Sequence, residues 1–261
     1  MIRRVLLLLF LLFASLLAAA AAPPDFAGLA YREHPGAQLP LDARFRDETG
    51  RDVRLGDLLG GGPSILALVY FHCPNLCGVV QDDLLHALAL SGLGTPGDYR
   101  LVAISIDPNE TSADAARAKA ADLARYPTPG ADRGWHFLTG DAPSIRAASE
   151  AVGFDDRFDP KLKQFTHPTG IVFVTGAGRV SGYLLGVGYQ AGDVTAGVLR
   201  ARSGGIARAA LPVLLLCFHF DATTGRYTLA VMRIVRIVGA LFVLTLGTLL
   251  AATLVFGRRH A

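Results

Sequence analysis

Phe71-His72-Cys73-Pro74-Asn75-Leu76-Cys77-Gly78 is the stretch on which the reading of this chain turns. An almost wholly apolar run, Ile65 to Phe71, leads into it, and an apolar-periodic segment, Val79 to Leu90, leads out. That order reads as a buried strand, a sharp turn and a helix whose first turn carries both thiols. Side chains at i and i+4 share one helical face, about 5–6 Å apart at Cβ. The positive end of the helix dipole favours thiolate over thiol. Pro74 suits the first helical turn, where a missing N–H costs little. Two adjacent, acidified thiols can close into a disulfide or hold a soft metal ion. The spacing is C-x3-C, not the C-x-x-C usual for thiol–disulfide exchange. It permits a disulfide and also leaves room for a metal between the sulfurs. A pair of buried structural cysteines is the plainest alternative.

Outward from this stretch, strands alternate with helices. Ala43 to Val53 alternates in polarity around a turn and predicts a β-hairpin. Ile65 to Phe71 is continuously apolar, as a central parallel strand should be, and Tyr99 to Ile106 is another such run. Asp107-Pro108 ends the second, and Thr111 or Ser112 caps an alanine-rich helix to about Arg125. Trp135 to Leu138 reads as a short strand, and Asp141-Ala142-Pro143 opens a helix that stops near Gly153. Gly170 to Val174 and Val180 to Leu185 flank Thr175-Gly176-Ala177-Gly178, a hairpin signature. The glycine-rich residues 186–205 read as a connection. The sum is a three-layer α/β domain with an N-terminal β-hairpin. With a cysteine pair just after the first long strand, it is a thioredoxin-like plan.

The two ends of the chain are not part of that domain. Residues 1–22 carry Arg3 and Arg4, an apolar core from Val5 to Leu17 and a run of alanines to Ala22. This is the pattern of a secretory signal peptide, cut between Ala20 and Ala22, with an uncleaved anchor helix as its rival. Residues 23–40 form a leader over the surface, residues 41–200 the domain and residues 201–236 a membrane-proximal linker. Ile237 to Phe256 is a run of 20 residues without a charge, long enough to cross about 30 Å of hydrocarbon as a transmembrane helix. Arg258, Arg259 and His260, in the tail of residues 257–261, place that end in the cytoplasm, although Arg226, Arg233 and Arg236 on the near side blunt the signal. The exported N-terminus points the same way. The expected location is the bacterial inner membrane, with the domain facing the periplasm.

The formal charge of the whole chain is +3, and removal of Arg3 and Arg4 leaves +1. A near-neutral chain gives no electrostatic case for nucleic acid. Outside the cytoplasm a proximal cysteine pair oxidises unless a reductant maintains it.

His167 is the second candidate. It lies in Phe165-Thr166-His167-Pro168-Thr169, 90 positions after Cys77 and just before the strand at Gly170. In a thioredoxin-like domain the loop before that strand packs against the cysteine turn, so His167 is expected to face both thiols. A Cys2His set suits Cu(I), which thiolate selects; zinc usually takes a fourth ligand, which this sequence does not clearly supply. His72 is a lesser candidate that faces solvent or tunes the neighbouring thiol. His86 reads as a surface residue, Asp107 as part of a strand-ending turn and His136 as structural. Alternation places Cys217 and His219 on one strand face, as a second metal site or as an ordinary cysteine beside a satisfied histidine.

The combined pattern resembles the Sco/SenC family over about residues 38–190. It comprises the strand into Cys73-Pro74-Asn75-Leu76-Cys77, Ser105-Ile106-Asp107-Pro108, Trp135-His136-Phe137-Leu138-Thr139-Gly140, and His167 before a strand–turn–strand ending Tyr183-Leu184-Leu185-Gly186. The closing Cys217 to Asp221 segment and single span look like a membrane-tethered bacterial branch. The resemblance implies a thioredoxin-fold copper-binding protein that delivers a copper ion to the binuclear copper centre of cytochrome c oxidase. The family's ligands map to Cys73, Cys77 and His167, and its partner would be the copper-bearing oxidase subunit. The alternative is a thiol–disulfide oxidoreductase that reduces that subunit's cysteines, with Cys73 attacking and Cys77 resolving. A peroxiredoxin-like reading lacks the threonine and arginine expected around one cysteine. Two departures from the family stand out. Gly78 replaces the proline of many members, and Pro168 directly follows the histidine, where a cis bond is expected.

Overall fold

The computed structural model describes residues 31–72, 77–160, 164–208 and 239. Cys73, Cys217, His219, the expected signal peptide, the linker beyond residue 208, the expected transmembrane segment apart from Gly239, and the tail lie outside the described residues. The described residues from 31 to 208 fall within one compact unit, Gly28–Cys217. No helix among the described residues is long and apolar enough to cross a membrane.

The N-terminal hairpin is present: β1 (Arg44–Arg46) pairs antiparallel with β2 (Asp52–Arg54) and runs into a short helix, α1 (Leu55–Leu59). The cysteine motif lies between β3 (Ser64–Val69) and α2 (Cys77–Ser91). Then come β4 (Arg100–Ser105), α3 (Ser112–Arg125), α4 (Ala131–Gly134), β5 (Trp135–Leu138) and α5 (Ala142–Ala151). A small hairpin follows, β6 (Arg157–Asp159) with β7 (Gln164–Thr166), then β8 (Gly170–Val174), β9 (Val180–Leu185) and α6 (Ala191–Arg202).

Five strands form the central sheet in the order β5-β4-β3-β8-β9. β3, β4 and β5 are parallel, and β8 runs antiparallel to β3 and to β9. β3 is therefore the middle strand, and all six of its residues are buried. Its alternation divides the core. Ile65, Ala67 and Val69 pack with α2, α3 and α6, whereas Leu66 and Leu68 pack with α1, α5 and the hairpin residue Phe45. Helices on both faces of a mixed sheet give the three-layer, thioredoxin-like architecture.

Local chemistry fixes several boundaries. Asp114 accepts hydrogen bonds from the Thr111 backbone N–H at 2.7 Å and the Thr111 hydroxyl at 2.6 Å, which holds the start of α3. The Asp141 carboxylate accepts from Ser144 N–H at 2.8 Å, with Pro143 in the first turn of α5. Gly153 follows that helix with φ +64°, and a Cβ there would stand 1.7 Å from the Arg32 carbonyl oxygen, so only glycine fits the stop.

Three features depart from the sequence reading. Residues 186–205 are not only a connection. Val194, Val198 and Ala201 line one buried stripe of α6, and the glycine content hides that periodicity. Part of the leader is built into the domain: Leu39 is buried, and its N–H donates to Gly178 O at 2.9 Å. The cis peptide among the described residues is Thr95–Pro96, so the expected cis bond at His167–Pro168 is corrected to trans.

Candidate metal centre

β3 ends at Val69, Phe71 and His72 extend from it, and α2 begins at Cys77. The cysteine motif therefore joins the carboxyl end of the middle strand to a helix N-terminus, as its sequence requires. Phe71 stacks on Phe137 with ring centroids 5.8 Å apart, which ties this end to β5. Tyr70 meets Phe165 of β7 edge-on at 5.7 Å.

His167 lies directly between β7 and β8, at the same end of the sheet. Its Nδ1 stands 2.9 Å from the Pro168 carbonyl oxygen. A carbonyl only accepts, so this contact puts the proton on Nδ1 and the lone pair of the neutral ring on Nε2. The ring also lies 5.8 Å from that of Phe154, which in turn meets Tyr31 edge-on. His167 and Gln81 both line a narrow cavity of about 20 Å³, together with Val69 and Leu84. Gln81 stands one helical turn after Cys77. The structure thus brings His167 to the carboxyl end of β3 and to the part of α2 that begins one turn after Cys77. Among the described residues no three metal-ligating side chains converge, and Cys73 lies outside them.

The remaining candidates separate from this centre. Asp107 Oδ1 accepts from the Asn109 backbone and side-chain amides, each at 2.8 Å, so Asp107 shapes a turn. His86 is exposed and meets Tyr126 edge-on. His136 sits on β5, where burial holds its pKa below the usual range against the opposing pull of Glu48. His72 is half exposed, with Nδ1 at 2.9 Å from Glu110 and Nε2 at 3.1 Å from Asp114. It keeps the solvent exposure expected of it and is also bracketed by two carboxylates. Sequence reasoning overlooked Gln81 and Glu110. Neither has a motif of its own, and each matters only through the partner that folding supplies.

Gln81 donates through Nε2 to Asp122 on α3. Burial, with the nearby Asp82 carboxylate adding to it, pushes the Asp122 pKa up to about 6 against the Gln81 hydrogen bond and Arg125. A raised carboxyl pKa means that the folded chain holds this proton more tightly than the unfolded chain. The associated stability is full below the ordinary carboxyl pKa and is lost as pH rises through about 6. Asp122→Asn removes that loss while keeping an oxygen for Gln81. The variant is expected to be about 1–3 kcal/mol more stable than wild type near pH 7.5 and about equal near pH 4, measured by urea unfolding. Equal stabilities at both pH values would show that Asp122 is not held in this environment.

The family described as SCO1/SenC matches residues 36–200. Comparison with curated proteins gives no match. Among solved structures, a protein of Aquifex aeolicus VF5 given a provisional role in electron transfer is 26% identical with a TM-score of 0.56, over 66% of this chain and 96% of that one. A second from the same organism, given a provisional role in electron transport, is 26% identical with a TM-score of 0.53, over 65% and 99%. Arabidopsis thaliana ScoI with copper bound is 17% identical with a TM-score of 0.51, over 65% and 98%, a likeness of fold.

Proposed function

The chain belongs to the SCO1/SenC family, and from that premise we propose that it is a copper-binding protein of cytochrome c oxidase assembly. In this reading Cys73, Cys77 and His167 take up a copper ion and pass it to the copper-bearing oxidase subunit. The observation that carries the proposal is the placement of His167, with its lone pair on Nε2, on the same small cavity as Gln81 and Leu84 of α2. Two thiolates and an imidazole are a donor set suited to Cu(I). Cys77 opens α2, and a helix N-terminus lowers thiol pKa, while His167 lies in the loop before β8.

Copper is cargo here, so the site must release it as well as bind it. A low-coordinate set permits an incoming thiolate of the acceptor to add before one of the chain's own sulfurs leaves. Oxidation joins Cys73 to Cys77 and removes both thiolates, so the redox state of the pair gates loading. The expected tether, the segment from Ile237 to Phe256, would keep donor and acceptor in one bilayer, with the domain on the periplasmic side.

The deciding measurement is copper stoichiometry of the full chain in reduced and oxidised forms, by Cu(I) competition against a chelator. One copper per reduced chain and none per oxidised chain is expected. Equal binding by both forms would remove the two thiols from the site. No binding by either, with ready dithiol exchange, would leave a thiol–disulfide reductase.

A further inference from the structure

Glu110 presents a carboxylate whose side chain is only 2% exposed. A buried charge of this kind is costly unless it is fully hydrogen-bonded. Oε2 accepts from the Phe71 backbone N–H at 3.1 Å and from the Ser105 hydroxyl at 2.5 Å. Oε1 accepts from the His72 backbone N–H at 2.7 Å and lies 2.9 Å from His72 Nδ1. All four partners sit at the carboxyl ends of β3 and β4, and three of them belong to the two residues that lead into Cys73. Those residues lie beyond the last ladder position of β3, so the sheet does not hold them. Glu110 takes over where the ladder stops. Asp114, in the first turn of α3, stands 3.1 Å from Nε2 on the opposite edge of the His72 ring, where Arg117 also approaches at 3.5 Å.

We propose that Glu110 is a positioning residue for the cysteine pair. By fastening the backbone of Phe71 and His72 to the turn between β4 and α3, it sets the direction from which Cys73 approaches Cys77. This rests on the reading of Cys73 and Cys77 as the working thiols. A fixed approach lowers the ordering cost both of closing a disulfide and of binding one ion with two sulfurs. The carboxylate acts through the backbone amides of Phe71 and His72.

The test is the thiol–disulfide equilibrium of the full chain in glutathione buffers. Cys73 and Cys77 lose two protons and two electrons as the S–S bond forms, and glutathione disulfide takes them up as two thiols. Glu110→Ala is expected to shift this equilibrium about tenfold toward the dithiol, or about 30 mV, and to weaken Cu(I) binding by a similar factor. Glu110→Gln is isosteric and keeps one amide oxygen for a backbone N–H. It should shift both quantities in the same direction and by less, and it carries the test if the alanine variant does not fold. A merely structural buttress would lower the melting temperature of the oxidised and reduced forms equally and leave the equilibrium unmoved; that result overturns the proposal. If the wild type binds no copper while Glu110→Ala still shifts the equilibrium, positioning stands and the copper reading falls.

Discussion

Trp135→Ala is expected to destabilise the domain by about 3–5 kcal/mol. Trp135 opens β5, is fully buried, and donates from Nε1 to the Tyr99 hydroxyl at 3.2 Å. Tyr99 is itself fully buried, and burial pushes its pKa up to about 12 against the Trp135 hydrogen bond, so the hydroxyl stays protonated at neutral pH. The substitution opens a cavity beside β4 and strands that hydroxyl without its donor. Both effects act in one place, on the strand that supplies Phe137 to stack on Phe71. At about 2–4 °C per kcal/mol for a domain of this size, the melting temperature should fall by about 6–20 °C. Leu199→Ala, at a half-exposed position, is the control and should stay within about 0.5 kcal/mol of wild type. A Trp135 variant less than about 1 kcal/mol below wild type would mean that this edge of the sheet is not packed as described.

The same tryptophan shows what a sequence discloses and what it withholds. Trp135 to Leu138 is apolar enough to declare a strand, and the continuous runs around Leu66 and Val102 declare central ones. Buried strands have no polar face to confuse the reading. Helix α6 is less legible, because Gly192 and Gly197 dilute its apolar stripe and Gly204 and Gly205 follow directly after it. Gly197 is there for packing: a Cβ would lie 2.3 Å from the Phe173 ring. The residue that lets the helix approach the sheet is the residue that disguises it. The β6–β7 hairpin is short and charged, and it shows no period at all.

The candidate site divides along a similar line. The two cysteines and His167 are readable because their chemistry is rare and their positions follow from the order of strands. Glu110 is not readable. In sequence it is one acidic residue in a polar turn, and such residues usually meet solvent. Its significance lies in donors 38 and 39 residues earlier in the chain, which only the fold brings to it. Gln81 is similar, since its partner Asp122 is 41 residues away.

His167→Ala should weaken Cu(I) binding to the full, reduced chain by at least about 100-fold, at or beyond the upper end of what losing a mere outer-sphere partner costs. The ring is partly exposed and lies in a loop between two strands, so its removal should leave the fold intact. Thermal unfolding of the metal-free variant should match wild type within about 1 kcal/mol. Thiol–disulfide exchange depends on the sulfurs and should continue at the wild-type rate. Retained exchange with lost copper separates a copper donor from a reductase, because a reductase makes no use of an imidazole lone pair at this position. Added imidazole should restore part of the affinity if Nε2 is the missing ligand, and it should do nothing if the alanine only disturbs the loop before β8. Unchanged copper affinity in the variant would remove His167 from the site and leave the two cysteines to account for any binding alone.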